Sequence, residues 1–382
     1  MRTIRAILVV LVTGCGSVAG DYAAKPYVVN PKRDGITIAW AATARTGGTV
    51  EYGMTTAYGH SSAVQRVDET NLRQYELEHV FIHKVRIRGL QPDTKYFYRV
   101  KGPGLSVYEN HFFTAPVRAD RPVCFMIGGD RNNAWPDDGD VAFVENTAGM
   151  RVEFFVDVGD FAVCRRFRRA WQGRVPVILV RGNHDNEIRK ENGDPKQVQH
   201  VYDFDEDRLD FTVAWGPILL VVNGGDRIYK PVSRRAVDWF ETVLTNAAQP
   251  WKIVACHGVF FSDGLHAKEG PARRRQLWPL FHKHGVPLVL TGHDHIYSRT
   301  ARVDADGRPA PDGPCNLCFG GILIEYSRPA PSPWVAYQFR GPKVRGGILF
   351  AVVDGPSARI ALYTRNRGKD YQLHDQFTLS VE

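Results

Sequence analysis

The chain has 382 residues, 43% of them hydrophobic and 24% charged, a length that suits two domains and a balance ordinary for globular protein. Its formal charge of +8 favours anionic partners such as phosphate-bearing substrates. No dense Lys/Arg tail and no basic and aromatic interleaving marks a nucleic-acid groove, so no specific nucleic acid is expected.

Residues 1–20 read as an export signal: Arg2 and Arg5 form a basic start, Ala6 to Val12 an apolar core too short to span a bilayer, and small residues follow. Val12-Thr13-Gly14-Cys15 resembles a bacterial lipobox, which makes Cys15 a candidate lipid anchor; cleavage after Val18-Ala19-Gly20 is the alternative. Either way the mature protein is expected outside the cytoplasm, as a periplasmic or outer-membrane lipoprotein or a secreted protein.

Residues 24–116 are patterned as an all-β sandwich, with short alternating runs such as Ile36 to Trp40 and Val80 to Val85 between Gly, Pro and Asn/Asp turns. The segment Gly89 to Val100 resembles the fibronectin type III signature, with Tyr96 at the tyrosine corner and Trp40 as the buried early-strand tryptophan. No chemistry is expected of this part. Val117 to Pro122 then makes a short basic linker.

From residue 120 to 382 strand and helix patterns alternate. Val123–Ile127, Phe154–Val158, Val175–Val180, Phe211–Trp215, Pro217–Val222 and Trp251–Cys256 read as strands, as does the run ending at Gly292. Val141–Met150, Arg165–Trp171, Val232–Ala247 and Arg273–Lys283 read as helices, and Ile348–Val353 and Arg359–Tyr363 as closing strands. The alternation predicts an α/β domain, a layered β-sandwich flanked by helices. Cys315 and Cys318 lack the second pair a zinc ribbon needs and are expected to form a local disulfide; Cys124 and Cys256 sit in apolar runs and read as core.

Five of these strands end in polar residues close to a glycine: Gly129-Asp130, Gly159-Asp160, Gly182-Asn183-His184-Asp185, His257-Gly258 and Gly292-His293-Asp294-His295. Ligands of α/β sheets bind beyond the carboxyl ends of strands, so these clusters can converge on one site. In extended backbone His293 and His295 would face the same side. Carboxylate and amide oxygens with imidazoles suit Zn, Mn or Fe, and a metal pair can clamp a phosphoryl group and activate water. The nucleophile elbow of a serine hydrolase, Gly-x-Ser-x-Gly, does not occur.

With the sandwich ahead of them, these motifs resemble those of the calcineurin-like metallophosphoesterases, in the purple acid phosphatase branch and its bacterial relatives. The resemblance implies an enzyme with two metal ions, Fe, Zn or Mn, that hydrolyses phosphate monoesters by attack of a metal-bound hydroxide. It implies that Asp130 and His295 hold the first metal, that Asn183, His257 and His293 hold the second, and that Asp160 bridges them. His184 would face the leaving group, and His266, followed by Glu269-Gly270, resembles the other substrate-side histidine. Phosphodiester hydrolysis at the same site, and a non-catalytic surface binding protein with a degenerate metal site, stay open as alternatives.

Two positions depart from the pattern. Val163 stands where the purple enzymes carry a metal-binding tyrosine, which implies a colourless protein. Asn132 stands where other members place a histidine, which implies weaker occupancy of the first metal. Arg131 is a candidate phosphate contact, whereas Arg165, Arg166, Arg168 and Arg169, and likewise Arg273 to Arg275, read as solvated helix faces.

Overall fold

The structure, a computed structural model, describes residues 22–382 apart from 73–76, 119, 131–136, 161–172, 186–197, 202, 204–208, 226–230, 321, 324–330, 341–343, 346 and 366–369. The leader with Cys15, Arg131, Asn132, Val163 and the helix expected at Arg165–Trp171 therefore lie outside the described residues.

The N-terminal part is built from β1 (Ala24–Val29), β2 (Gly35–Ala42), β3 (Thr49–Gly53), β4 (His60–Ala63), β5 (Arg66–Leu72), β6 (Leu77–Arg88), β7 (Lys95–Lys101) and β8 (Tyr108–Phe113). On β7 the burial alternates strictly, so Tyr96, Tyr98 and Val100 point inward and meet Trp40, Ile38 and Val85 from the facing strands. The Tyr96 hydroxyl accepts the Gln91 amide at 3.0 Å, which closes the expected tyrosine corner.

The second part follows in the order β9 (Val123–Gly128), α1 (Asp138–Ala148), β10 (Val152–Asp157), β11 (Val177–Leu179), α2 (Val198–Val201), β12 (Asp210–Trp215), β13 (Ile218–Asn223) and α3 (Arg234–Thr245). Then come β14 (Trp251–Cys256), α4 (Gly270–Lys283), β15 (Leu288–Thr291), β16 (Tyr297–Thr300), β17 (Cys315–Phe319), β18 (Ile322–Leu323), β19 (Val335–Gln338) and β20 (Val344–Arg345). The chain closes on β21 (Gly347–Asp354), β22 (Ser357–Arg365) and β23 (Tyr371–Ser380).

Among the described residues two large sheets result: ten strands ordered β23-β22-β21-β9-β10-β11-β1-β2-β6-β5 and seven ordered β12-β13-β14-β15-β17-β16-β19. They pack face to face over Phe125, Phe154, Val156, Trp215, Leu220, Ile253 and Leu290, with the Phe125 and Phe154 rings stacked at 4.8 Å. Each such large buried side chain contributes about 1.5–3 kcal/mol. Helices α3 and α4 cover the outer face of the seven-stranded sheet through Phe240, Leu277, Trp278 and Phe281, and α1 covers the other sheet through Val141 and Val144. Asp137 caps α1 in a reciprocal capping box with Asp140, and Gly149 ends it in the left-handed conformation.

β9, β10 and β11 run parallel in one sheet, and β13, β14, β15 and β17 run parallel in the other. Their carboxyl ends therefore open toward one rim of the sandwich. The expected Cys315–Cys318 disulfide is absent: both cysteines are free and buried on β17, where residues three apart point to opposite faces. Cys124 and Cys256 are buried core residues. No helix among the described residues is long and apolar enough to cross a membrane.

Candidate metal centre

Each strand end delivers its polar residue through a tight turn. Asp130 follows β9 with φ 50°, Asp160 follows β10 with φ 56°, and His293 follows β15 with φ 70°, a left-handed backbone that costs non-glycine residues about 1–3 kcal/mol each. The turns are held by buried carboxylates: Asp185 accepts the amides of Gly182 (2.7 Å) and Asp160 (3.1 Å), and Asp130 Oδ2 accepts the His293 amide (2.8 Å). Close approach needs glycine at two of these bends. A methyl on Gly182 would overlap Asp160 Oδ1, and one on Gly292 would lie 2.6 Å from Asp130 Oδ2.

His293 and His295 reach the site by a different route from the extended backbone expected of them. β15 ends at Thr291, the left-handed His293 turns the chain, and the two imidazoles leave the turn in different directions. His293 turns toward His257, His266 and Glu269, with ring centroids 5.2 Å from His257 and 3.6 Å from His266. His295 Nε2 lies 3.6 Å from Asp130 Oδ1.

At the centre, His257 Nδ1 donates to the Val158 carbonyl at 2.8 Å, so Nε2 is turned inward, 2.9 Å from Asn183 Oδ1, 3.4 Å from Asp160 Oδ2 and 3.9 Å from Asp130 Oδ1. All of the expected metal residues are thus brought together: Asp130, Asp160, Asn183, His257 and His293 are buried, and His295 is half-buried. His184 stands at the rim with its side chain 61% exposed, its amide donating to Asp160 Oδ1 at 2.9 Å and its Nε2 3.9 Å from Asp160 Oδ2. His266 is packed on His293, and the two help line a cavity of about 50 Å³ with Leu265 and His295.

Burial pushes the Asp130 carboxyl above its ordinary range, against the pull of His257 and His295. Burial opposes charge on Asp160 as well, but the neighbouring His257 and His184 hold it below the usual carboxylate range. For His257 burial disfavours the proton, and Asp160 and Asp130 outweigh it and push the imidazole up. Burial, together with His257 and His266, pushes His293 down to about 2.

Asp130 Oδ1 is fully buried and makes no hydrogen bond among the described residues. An orphaned carboxylate oxygen among imidazoles is costly unless a cation meets it. The donor set of carboxylate and amide oxygens with imidazole nitrogens suits Fe, Zn or Mn. Asp130, Asp160 and His257 offer ligand atoms within 4.8 Å of one another, with Asn183 Oδ1 2.9 Å from His257 Nε2 and His295 Nε2 3.6 Å from Asp130 Oδ1 beside them. The residues present therefore fit a metal pair.

Glu269 was named from the sequence only as a neighbour of His266, with no role of its own. Its carboxylate joins His266 Nδ1 (2.8 Å) to His293 Nε2 (3.0 Å), and its spacing three residues after His266 was the available signal. Arg273 corrects the expectation of a solvated face: it is buried at the Asn223 side chain, 3.4 Å away, while Arg274 lies over the Phe261 ring and Arg275 is exposed.

The model of the calcineurin-like phosphoesterases matches residues 107–297, and that of the purple acid phosphatase N-terminal domain matches residues 26–115. Purple acid phosphatase 18 of Arabidopsis thaliana is 25% identical over 322 residues, covering 76% of this chain and 69% of its own. Fe(3+)-Zn(2+) purple acid phosphatase 12 of the same plant is 25% identical over 306 residues, covering 72% and 64%. A purple acid phosphatase isolated from yellow lupin (Lupinus luteus) seeds shares the fold, with a TM-score of 0.74 at 18% identity over 93% of this chain and 74% of that one. A strand-end site on this sandwich, matched across half of the sequence and preceded by a match to the purple acid phosphatase N-terminal domain, places the chain in the calcineurin-like phosphoesterase family.

Proposed function

We propose that the protein is a dinuclear metal-dependent phosphatase that hydrolyses phosphate monoesters. One observation carries this reading: six side chains from five strand ends converge on one site, and one of them, Asp130, keeps a buried oxygen with no hydrogen-bond partner among the described residues. Asp130 and His295 would hold one cation, Asn183, His257 and His293 the other, and Asp160 both. When bound, such a pair supplies Lewis acidity to the phosphoryl oxygens and lowers the pKa of the attacking water. The similarity to an Fe(3+)-Zn(2+) relative and the donor set favour Fe, Zn or Mn.

The chain's own residues account for the remaining steps. His184 is anchored through its amide to Asp160 while its imidazole stands at the rim, a placement suited to protonating the departing ester oxygen. His266, tethered by Glu269 beside the same opening, is suited to hydrogen-bonding a phosphate oxygen. We place these residues in a phosphoesterase unit at 120–382 behind a fibronectin type III-like unit at 24–116. The basic and apolar start of the sequence supports export, and the mass of the mature N-terminus separates lipidation at Cys15 from cleavage after Gly20.

The test is turnover of nitrophenyl phosphate and its bis ester by protein stripped of metal and then supplied with Fe, Zn or Mn. Faster monoester turnover that disappears on chelation is expected. Preferential cleavage of the bis ester would establish the diesterase instead, and no metal-dependent turnover of either would overturn the enzymatic reading.

A further inference from the structure

We infer that Glu269 is a positioning residue that fixes the tautomer of His293, so that this imidazole presents Nδ1, and His257 presents Nε2, to the second cation. The inference rests on the two-metal reading above. A carboxylate only accepts hydrogen bonds. Its contacts at 3.0 Å to His293 Nε2 and 2.8 Å to His266 Nδ1 therefore place a proton on each of those nitrogens. In neutral imidazole the lone pair is then on the other nitrogen, which for His293 is Nδ1. His257 is set the opposite way, because its Nδ1 donates to the Val158 carbonyl at 2.8 Å. A hydrogen bond to the far nitrogen of a ligating histidine fixes its ring and raises its basicity.

The local backbone reserves Glu269 for this task. It stands at the start of α4 and makes no cap bond to the helix amides, so its two carboxylate oxygens stay with the two histidines. A methyl on the next residue, Gly270, would collide with the Phe260 carbonyl, so the backbone behind Glu269 is seated against that strand exit. One carboxylate thus couples a proposed metal residue to a proposed substrate residue.

The experiment uses the full chain and its Glu269→Gln and Glu269→Ala variants. A carboxamide accepts at one atom and donates at the other, so glutamine can keep only one of the two bonds in its present sense. Zn2+ titration by calorimetry is expected to show the tighter equivalent, that of the second cation, weakened about 10–100-fold in both variants, with the weaker equivalent unchanged. Two-bond nitrogen NMR of the metal-free protein is expected to find the His293 proton on Nε2 in the parent chain and divided between the nitrogens in Glu269→Gln. Parent-like binding of both equivalents by the variants, or a parent His293 protonated on Nδ1, would overturn the inference. Should Glu269→Ala fail to fold, the isosteric Glu269→Gln carries the test. A parent chain that bound fewer than two equivalents would remove the two-metal reading itself, and the NMR result would still judge the tautomer.

Discussion

His293 and His295 are separated by one residue and serve opposite sides of the same centre. The His293 side chain is buried and its Nε2 is held by Glu269, whereas the His295 side chain is 30% exposed and faces Asp130 at 3.6 Å. The proposed first cation therefore depends on the looser of the two imidazoles. His295→Ala is expected to lose its metal on dialysis well before His293→Ala loses the other, as read by elemental analysis, and equal loss in the two variants would contradict the asymmetry. The strand-end residues were legible in the sequence because an apolar run, a glycine and a polar residue recur together. The backbone that aims them was not: Asp130, Asp160 and His293 adopt left-handed conformations that residue type alone does not announce. The role of Glu269 was not legible for a related reason, since only the seating of α4 brings its carboxylate between two histidines.

At the scale of elements, the segment after α2 is fastened to the N-terminal sheet by a buried ionic cluster. Asp203 takes two bonds from Arg86, at 2.8 and 2.7 Å, and one from Thr37, while buried Lys84 lies 4.0 Å from it and 3.2 Å from Asp68. Burial opposes the Asp203 charge, but Arg86, Thr37 and Lys84 outweigh it and hold the carboxyl below its usual range. A carboxyl whose folded value lies below its unfolded one stabilises the fold fully above the unfolded value, near ~3.9, and loses that stabilisation as pH falls through the folded value. Asp203→Asn is therefore expected to cost about 3 kcal/mol at pH 7. The gap between parent and variant should narrow as denaturation is followed below pH ~4, and parallel acid profiles would rule the cluster out as a source of stability. The sequence pattern located the apolar strands of both sheets within a few residues. It missed β16, β17, β19 and β23, whose runs are short or strongly polar, and the strand character of β17 is what removed the expected disulfide. It also left Arg273 on a solvated face, because the register of α4 against Asn223 depends on tertiary packing.

For the molecule as a whole, the sequence suggests two units joined by a short linker, whereas the ten-stranded sheet passes from one into the other where β1 runs parallel to β11 at Val29 and Val177. Long-range pairing of this kind has no periodic signal, so the continuity could not be read from either segment. Further contacts fasten the same seam. Tyr98 donates to the Gly173 carbonyl at 2.8 Å, Tyr27 to the Val201 carbonyl at 2.8 Å, and Arg121 joins Asp93 to buried Glu153 at 2.6 and 2.7 Å. The start of the linker, by contrast, is open: Val117 is 51% exposed and the Arg118 side chain 83%. Independent domains on a flexible tether would separate once that tether was cut. Limited trypsin cleavage after Arg118 is expected to leave both fragments in one particle on size exclusion, melting in a single transition. Separation of the fragments, or two transitions in the uncut chain, would show that the seam does not hold and that the N-terminal unit is a detachable appendage. Retention would make the sandwich part of the scaffold that carries the β11 strand end, and with it Asn183 and His184, to the centre.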